Sequence, residues 1–105
     1  MPISYKKQSS LALDEVFQLF EAADFPGPTG KFTLDQVAQM ITHANLIMAV
    51  WDENKLVGVS LSTSNFASVC FLVAFVIHPD YQAKGIGKEL LRLARQEGGG
   101  DDVSF

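Results

Sequence analysis

The sequence predicts a mixed α/β domain, and three features carry that prediction. One is a long apolar, β-forming run from Val69 to Ile77, and another is the amphipathic helical pattern that follows it after a glycine-containing turn. The third is a pair of earlier helical stretches set between β-like segments. A chain of 105 residues has room for one packed core, so residues 1–105 are read as a single domain holding a single site.

Ile3 to Lys7 forms a first short strand. Leu13, Val16, Phe17, Phe20 and Ala23 then recur at helical spacing. Phe25-Pro26-Gly27-Pro28-Thr29-Gly30 is a dense turn signal that must end this helix. Thr33-Leu34-Asp35-Gln36 has the capping-box pattern and starts a second helix reaching about His43, with Leu34, Val37, Ala38 and Ile41 inward. Leu46–Trp51 and Leu56–Ser62 flank Asp52-Glu53-Asn54 as an antiparallel hairpin, with a bulge expected near Gly58. The uninterrupted apolar character of Val69 to Ile77 predicts a strand buried on both faces at the centre of the sheet. Pro79 cannot donate to a ladder and closes it. The last helix runs from about Gly85 to Gln96, with Ile86, Leu90, Leu91 and Ala94 on its inner side. Gly98-Gly99-Gly100-Asp101-Asp102 reads as a loop, and Val103-Ser104-Phe105 begins a new β-like pattern.

Composition narrows the function. With 48% hydrophobic and 19% charged residues the chain is an ordered globular protein rather than a disordered one. Its net charge of -4, with no block of Lys or Arg, argues against nucleic acid and against an anionic membrane surface as partners. A cationic acceptor suits that balance better. The most apolar stretch, Phe66 to Ile77, is shorter than the roughly 20 residues of a membrane-spanning helix. Cys70 is the single cysteine, which excludes an intrachain disulfide and a cysteine-based metal cage; no metal site is expected, and a reducing, cytoplasmic setting fits.

The chemistry-bearing segment is Gln82-Ala83-Lys84-Gly85-Ile86-Gly87. Two glycines allow a sharp turn, and the amides opening the next helix lack carbonyl partners of their own, so they can point at an anion. Competing phosphate motifs fail. A P-loop needs Gly five residues before its Gly-Lys, but Gly30-Lys31 is preceded there by Phe25 and followed by Phe32. The dinucleotide pattern would require Gly where Leu90 stands.

In this strand-to-helix setting, Gln82, Gly85 and Gly87 reproduce the Gln/Arg-x-x-Gly-x-Gly/Ala signature. Together with Val76-Ile77-His78-Pro79-Asp80-Tyr81 before it and Lys88-Glu89-Leu90-Leu91 after it, the segment closely resembles the GNAT superfamily of N-acetyltransferases. The resemblance covers nearly the whole chain. It implies a largely antiparallel sheet flanked by helices, acetyl-CoA as cofactor, and acetyl transfer to a primary amine on a small molecule or peptide. Backbone N–H groups from Ala83 through Lys88 would then surround the pyrophosphate, with Gly85 and Gly87 allowing close approach and Lys84 and Lys88 adding attraction. Main-chain groups of Phe75, Val76 and Ile77 would receive the pantetheine arm much as a sheet receives an added strand. Phe25 and Phe32, which bracket the Pro-Gly turn, would help shape the acceptor pocket.

Members of the superfamily continue through a fifth strand, a further helix and closing strands, and that helix commonly carries the tyrosine that protonates the leaving thiolate. Here the sequence stops at Val103-Ser104-Phe105, so a C-terminally shortened domain is expected; no residue matches the usual acid, and with no Asp or Glu within Val69 to Ile77 the base is left unassigned. An apolar Val69–Ile77 edge would then invite pairing, with a homodimer as one cover. A non-catalytic coenzyme A-binding or oligomerisation module, or an inactive acetyltransferase fragment, is the alternative. His78 is read as ordering its turn, His43 as a solvated residue at a helix end, and Cys70 as a small buried hydrophobe. Asp101-Asp102 is read as a solvated loop, and Trp51 as packing at the hairpin.

Overall fold

The computed structural model describes residues 3–27 and 30–100. Four strands form its main sheet, every neighbouring pair antiparallel, in the order Ile3–Gln8 (β1), Leu46–Asp52 (β4), Lys55–Ser64 (β5) and Cys70–Ile77 (β6). Helices α1 (Leu13–Ala22) and α2 (Leu34–His43) cover one face, and α3 (Ile86–Glu97) covers the other. Between α1 and α2 the Pro-Gly turn contains a small second sheet, β2 (Pro26–Gly27) with β3 (Gly30–Lys31), which the sequence reading missed.

Alternation along β4 sorts the core. Ile47 and Ala49 face α1 and α2 with Val16, Leu19, Phe20 and Val37, while Leu46, Met48 and Val50 face α3 with Ile86, Leu90 and Ala94. The capping box forms as expected: the Gln36 N–H donates to Thr33 Oγ1 at 3.1 Å, and the Thr33 N–H donates to Gln36 Oε1 at 2.9 Å. The β4–β5 hairpin closes between Asp52 and Lys55, with Glu53 in the left-handed region at φ 55°. Its register shifts between Val50 and Trp51, leaving Val57 as the extra residue beside Gly58. A Cβ on Gly58 would stand 2.9 Å from Ile77 Cδ1 and 3.1 Å from Val50 Cγ2, so a side chain there would crowd both neighbouring strands.

Three sequence expectations need correction. The strand at Val69 to Ile77 is not central: β6 is an edge of the sheet among the described residues, with Phe71 69% exposed. The strand buried on both faces is β5, whose residues from Leu56 to Leu61 are all inside even though serine and glycine break its apolar run. Leu34 and Leu91, assigned to inner helix faces, are exposed; Leu34 opens α2 and lies beyond the reach of the core, while Leu19, unassigned, is buried with Val16 and Phe20. Trp51 does pack at the hairpin, and its indole N–H donates to Gln8 Oε1 at 2.7 Å, tying β4 to β1. Cys70 is buried. Val103-Ser104-Phe105 and Asp101-Asp102 lie outside the described residues.

Candidate functional site

Strand β6 ends where the chain must turn back to start α3, and the turn is built from local bonds. His78 N–H still donates to Val57 O at 2.8 Å, the last bond of the ladder. Pro79–Tyr81 then makes one 3-10 turn, in which His78 Nδ1 accepts the Asp80 N–H at 3.1 Å. His78 therefore orders the turn. The Gln82 side chain reaches back, its amide donating to Ile77 O at 3.1 Å, so the loop is pinned to the end of β6.

Beyond that pin the backbone alternates in hand. Ala83 sits at φ 62° and Gly85 at φ 80°, both left-handed, before α3 begins at Ile86. Successive reversals of this kind aim neighbouring N–H groups into one concavity. The first bond of α3 runs from the Glu89 N–H to Gly85 O at 3.1 Å, and its N-terminus has no side-chain cap. In consequence, the N–H groups from Ala83 to Lys88 find no acceptor among the described residues. Residues Gln82 to Gly85 are exposed, so the loop that carries the first of these amides lies at the surface, while Ile86 is buried against the core. Such an array, with the positive end of a helix dipole behind it, favours an anion by about 0.3–1 kcal/mol per charge at an exposed site.

The two glycines do different work. A Cβ on Gly85 would meet nothing within 4 Å, so glycine serves the left-handed backbone and leaves the space before the amides open. A Cβ on Gly87 would point at Phe75 Cζ and Ile77 Cγ1, each 3.7 Å away, which is ordinary contact. A side chain at Gly87 would thus lie between α3 and β6 and not in front of the amides.

Phe75, Val76 and Ile77 join this loop to the free edge of β6. Val76 and Ile77 are buried by side chain and Phe75 half-buried, so what they present outward is main chain. Upstream, β6 shifts register opposite Leu61 and Ser62, making Val73 an extra residue in mid-strand. A bulge bends an edge strand and re-aims its amides.

Phe25 and Phe32 are brought together, though mainly with each other and the core. Their rings stack with centroids 5.9 Å apart, and each meets Phe20 edge-on at 5.0 and 5.9 Å. Packing against α1 accounts for both.

A group the sequence did not single out stands beside the cradle. Tyr81 donates its hydroxyl to Asp52 Oδ2 at 2.5 Å, linking the motif loop to the β4–β5 hairpin, and this bond raises the phenol above its usual pKa. Lys55 Nζ and Lys84 Nζ lie 5.6 and 5.9 Å from the centre of its ring. Lys84 belongs to the motif, but nothing in the local sequence around Lys55 signals its place here; only the two-residue hairpin loop after Asp52 could have hinted at it.

A family model described as the acetyltransferase (GNAT) family matches residues 13–103. The chain belongs to that family. Among solved structures, it is similar to a GNAT-family acetyltransferase from Streptococcus pneumoniae, at 26% identity and a TM-score of 0.76, covering 96% of this chain and 72% of that one. It also resembles a protein of unknown function from meticillin-resistant Staphylococcus aureus, at 12% identity and a TM-score of 0.76, over 97% of this chain and 75% of that chain. The ribosomal-protein-S18-alanine N-acetyltransferase of Escherichia coli shares the fold at 17% identity and a TM-score of 0.70, covering 90% of this chain and 59% of its own. No curated protein matches the sequence. The GNAT fold read from the motif and its flanks is therefore the fold of this protein.

Proposed function

We propose that this chain binds acetyl-CoA and takes part in transfer of its acetyl group to a primary amine. The observation that carries this reading is the run of amides from Ala83 to Lys88 without partners among the described residues, which starts in the exposed Gln82–Gly85 loop next to the edge strand β6. Those amides fit a diphosphate, and the open space at Gly85 leaves room for it. The Phe75–Ile77 edge offers main-chain donors and acceptors to an amide-bearing arm, as a sheet does to an added strand. Bound there, acetyl-CoA supplies an activated acetyl thioester.

Along β6 the chain's own contribution is electrostatic and positional. Val69 to Ile77 contains no carboxylate, histidine or tyrosine, so the strand acts through its backbone. An outward N–H near the Val73 bulge would donate to the carbonyl oxygen as negative charge develops on it. Phe25 and Phe32 would touch an acceptor by their exposed margins only.

Two measurements test the reading. Thermal stabilisation by acetyl-CoA is expected, together with thiol release that depends on an amine drawn from a panel of small amines and peptides. Stabilisation without amine-dependent release would mark a coenzyme-binding module, and neither effect would exclude both roles for the chain.

A further inference from the structure

A cleft of about 430 Å³ opens between α1 and the β4–β5 hairpin, a volume inside the range of about 300–1,000 Å³ common to small-molecule sites. No residue of Phe75–Ile77 or Ala83–Lys88 lines it, so it is separate from the coenzyme site. Its α1 wall is a single helical stripe, Glu15, Gln18, Leu19 and Ala22, which the i, i+3, i+4, i+7 spacing puts on one face. The other wall comes from Asn54, Lys55 and Leu56 of the hairpin, with His78 just past β6. Leu19 and Leu56 are buried and give the cleft an apolar floor.

The polar groups divide by charge. Glu15 is half-buried with no ion-pair partner among the described residues, whereas its neighbour Asp14 is exposed and already supplies an acid to the first turn of α1. Lys55, on the other wall, also lacks an ion-pair partner among the described residues. Asp52 is its cross-strand neighbour and keeps its negative charge while accepting the Tyr81 hydroxyl, but it stands beyond ion-pair distance of Lys55 and does not line the cleft. The Asp80 carboxylate, 3.9 Å from His78 Nδ1, is mostly in solvent and also lies outside the lining. Since His78 Nδ1 accepts the Asp80 N–H, the neutral ring carries its proton on Nε2, which joins the Asn54 amide as a neutral donor on the Lys55 wall.

We propose that this cleft binds a free amino acid in its zwitterionic form, the ammonium on Glu15, the carboxylate on Lys55 and His78 Nε2, and the side chain over Leu19 and Leu56. A simple cation would leave Lys55 facing it, and a simple anion would face Glu15. Only a ligand carrying both charges suits both walls. The site is an addition to the proposed acetyl transfer, because an ammonium held by a carboxylate keeps its proton and is not the attacking amine.

Titration of the isotope-labelled full chain with a panel of free amino acids, followed through amide NMR shifts with no coenzyme present, tests it. The expected result is saturable shifts at Gln18, Asn54 and Lys55 for at least one amino acid, with its N-acetyl derivative and its carboxamide each bound about tenfold more weakly. Glu15→Gln should erase the penalty on the N-acetyl derivative, and Lys55→Gln the penalty on the carboxamide. The same spectra show whether each variant is folded, and the two sit on separate elements, so either one carries the comparison. Saturation by no member of the panel, equal affinity for the free, N-acetyl and carboxamide forms, or penalties unchanged in the variants would overturn the assignment. Because the titration contains no coenzyme, its failure leaves the acetyl-CoA reading standing, and the failure of that reading leaves this one.

Discussion

The two edges of the main sheet are built on opposite plans. At the β1 edge, Ser4, Lys6 and Lys7 are exposed, and Lys7 reaches Glu97 at 3.3 Å. Lysines on an outer strand oppose further strand pairing. At the β6 edge there is no charge at all from Leu56 through Ile77, and Phe71 and Val73 are 69% and 41% exposed. One edge carries charges that oppose pairing, and the other leaves apolar side chains exposed. On the proposed function, the C-terminal half of β6 meets a coenzyme arm.

The largest effect should come from the strand beneath both edges. Leu61→Ala on β5, fully buried, is expected to cost about 2–5 kcal/mol by chemical denaturation and to weaken both edges alike; a loss confined to β6 in hydrogen exchange would break the symmetry assumed for the core. Next, Gly85→Val places a β-branched residue at φ 80°, costing about 1–2 kcal/mol of stability and abolishing thermal stabilisation by acetyl-CoA. Retained stabilisation would remove the cradle from the account. Phe71→Lys should change stability by no more than about 0.5 kcal/mol, yet suppress any concentration-dependent self-association seen by sedimentation. Identical sedimentation of both proteins at high concentration would show that β6 is not a pairing edge between copies.

Smaller still is Ser60→Ala. The Ser60 and Ser62 hydroxyls are buried without partners among the described residues, so removing one is expected to be neutral or to stabilise by up to about 1 kcal/mol. A clear loss would point to a bridging water.

The smallest effect concerns the tyrosines, one at each edge. Tyr5 on β1 is raised by burial and then by Glu89, whereas Tyr81 beyond β6 is raised first by its bond to Asp52. Both hold their protons more tightly folded than unfolded. Their contribution is therefore complete below the ordinary tyrosine pKa and is lost as pH rises through the folded values. With two tyrosines in the chain, an absorbance titration resolves them. Asp52→Ala should lower Tyr81 alone; a shift of both would contradict the separate causes.

Much of the site was legible because its determinants are local. Glycine in a left-handed turn, proline closing a strand and a helix start without a cap are each written within a few residues of Gly85. Gln82 was marked as a motif residue, but its bond to Ile77 depends on how the turn folds back. The inward aim of Gly87 was not readable, since it follows from where Phe75 and Ile77 lie. The position of β6 was misread for a related reason: an apolar run records what a strand must be covered by, and that cover can be something other than a neighbouring strand of the same sheet.

By itself the sequence determined the Thr33–Gln36 cap, the Asp52–Lys55 hairpin, the amide-bearing turn and the family signature, because each depends on torsions and hydrogen bonds between residues a few positions apart. Tertiary structure alone decided that β5 and not β6 is the buried strand, and that Lys55 stands over Tyr81 beside Lys84. Strand order and long-range convergence arise from the packing of whole elements, and no short window of residues contains that information.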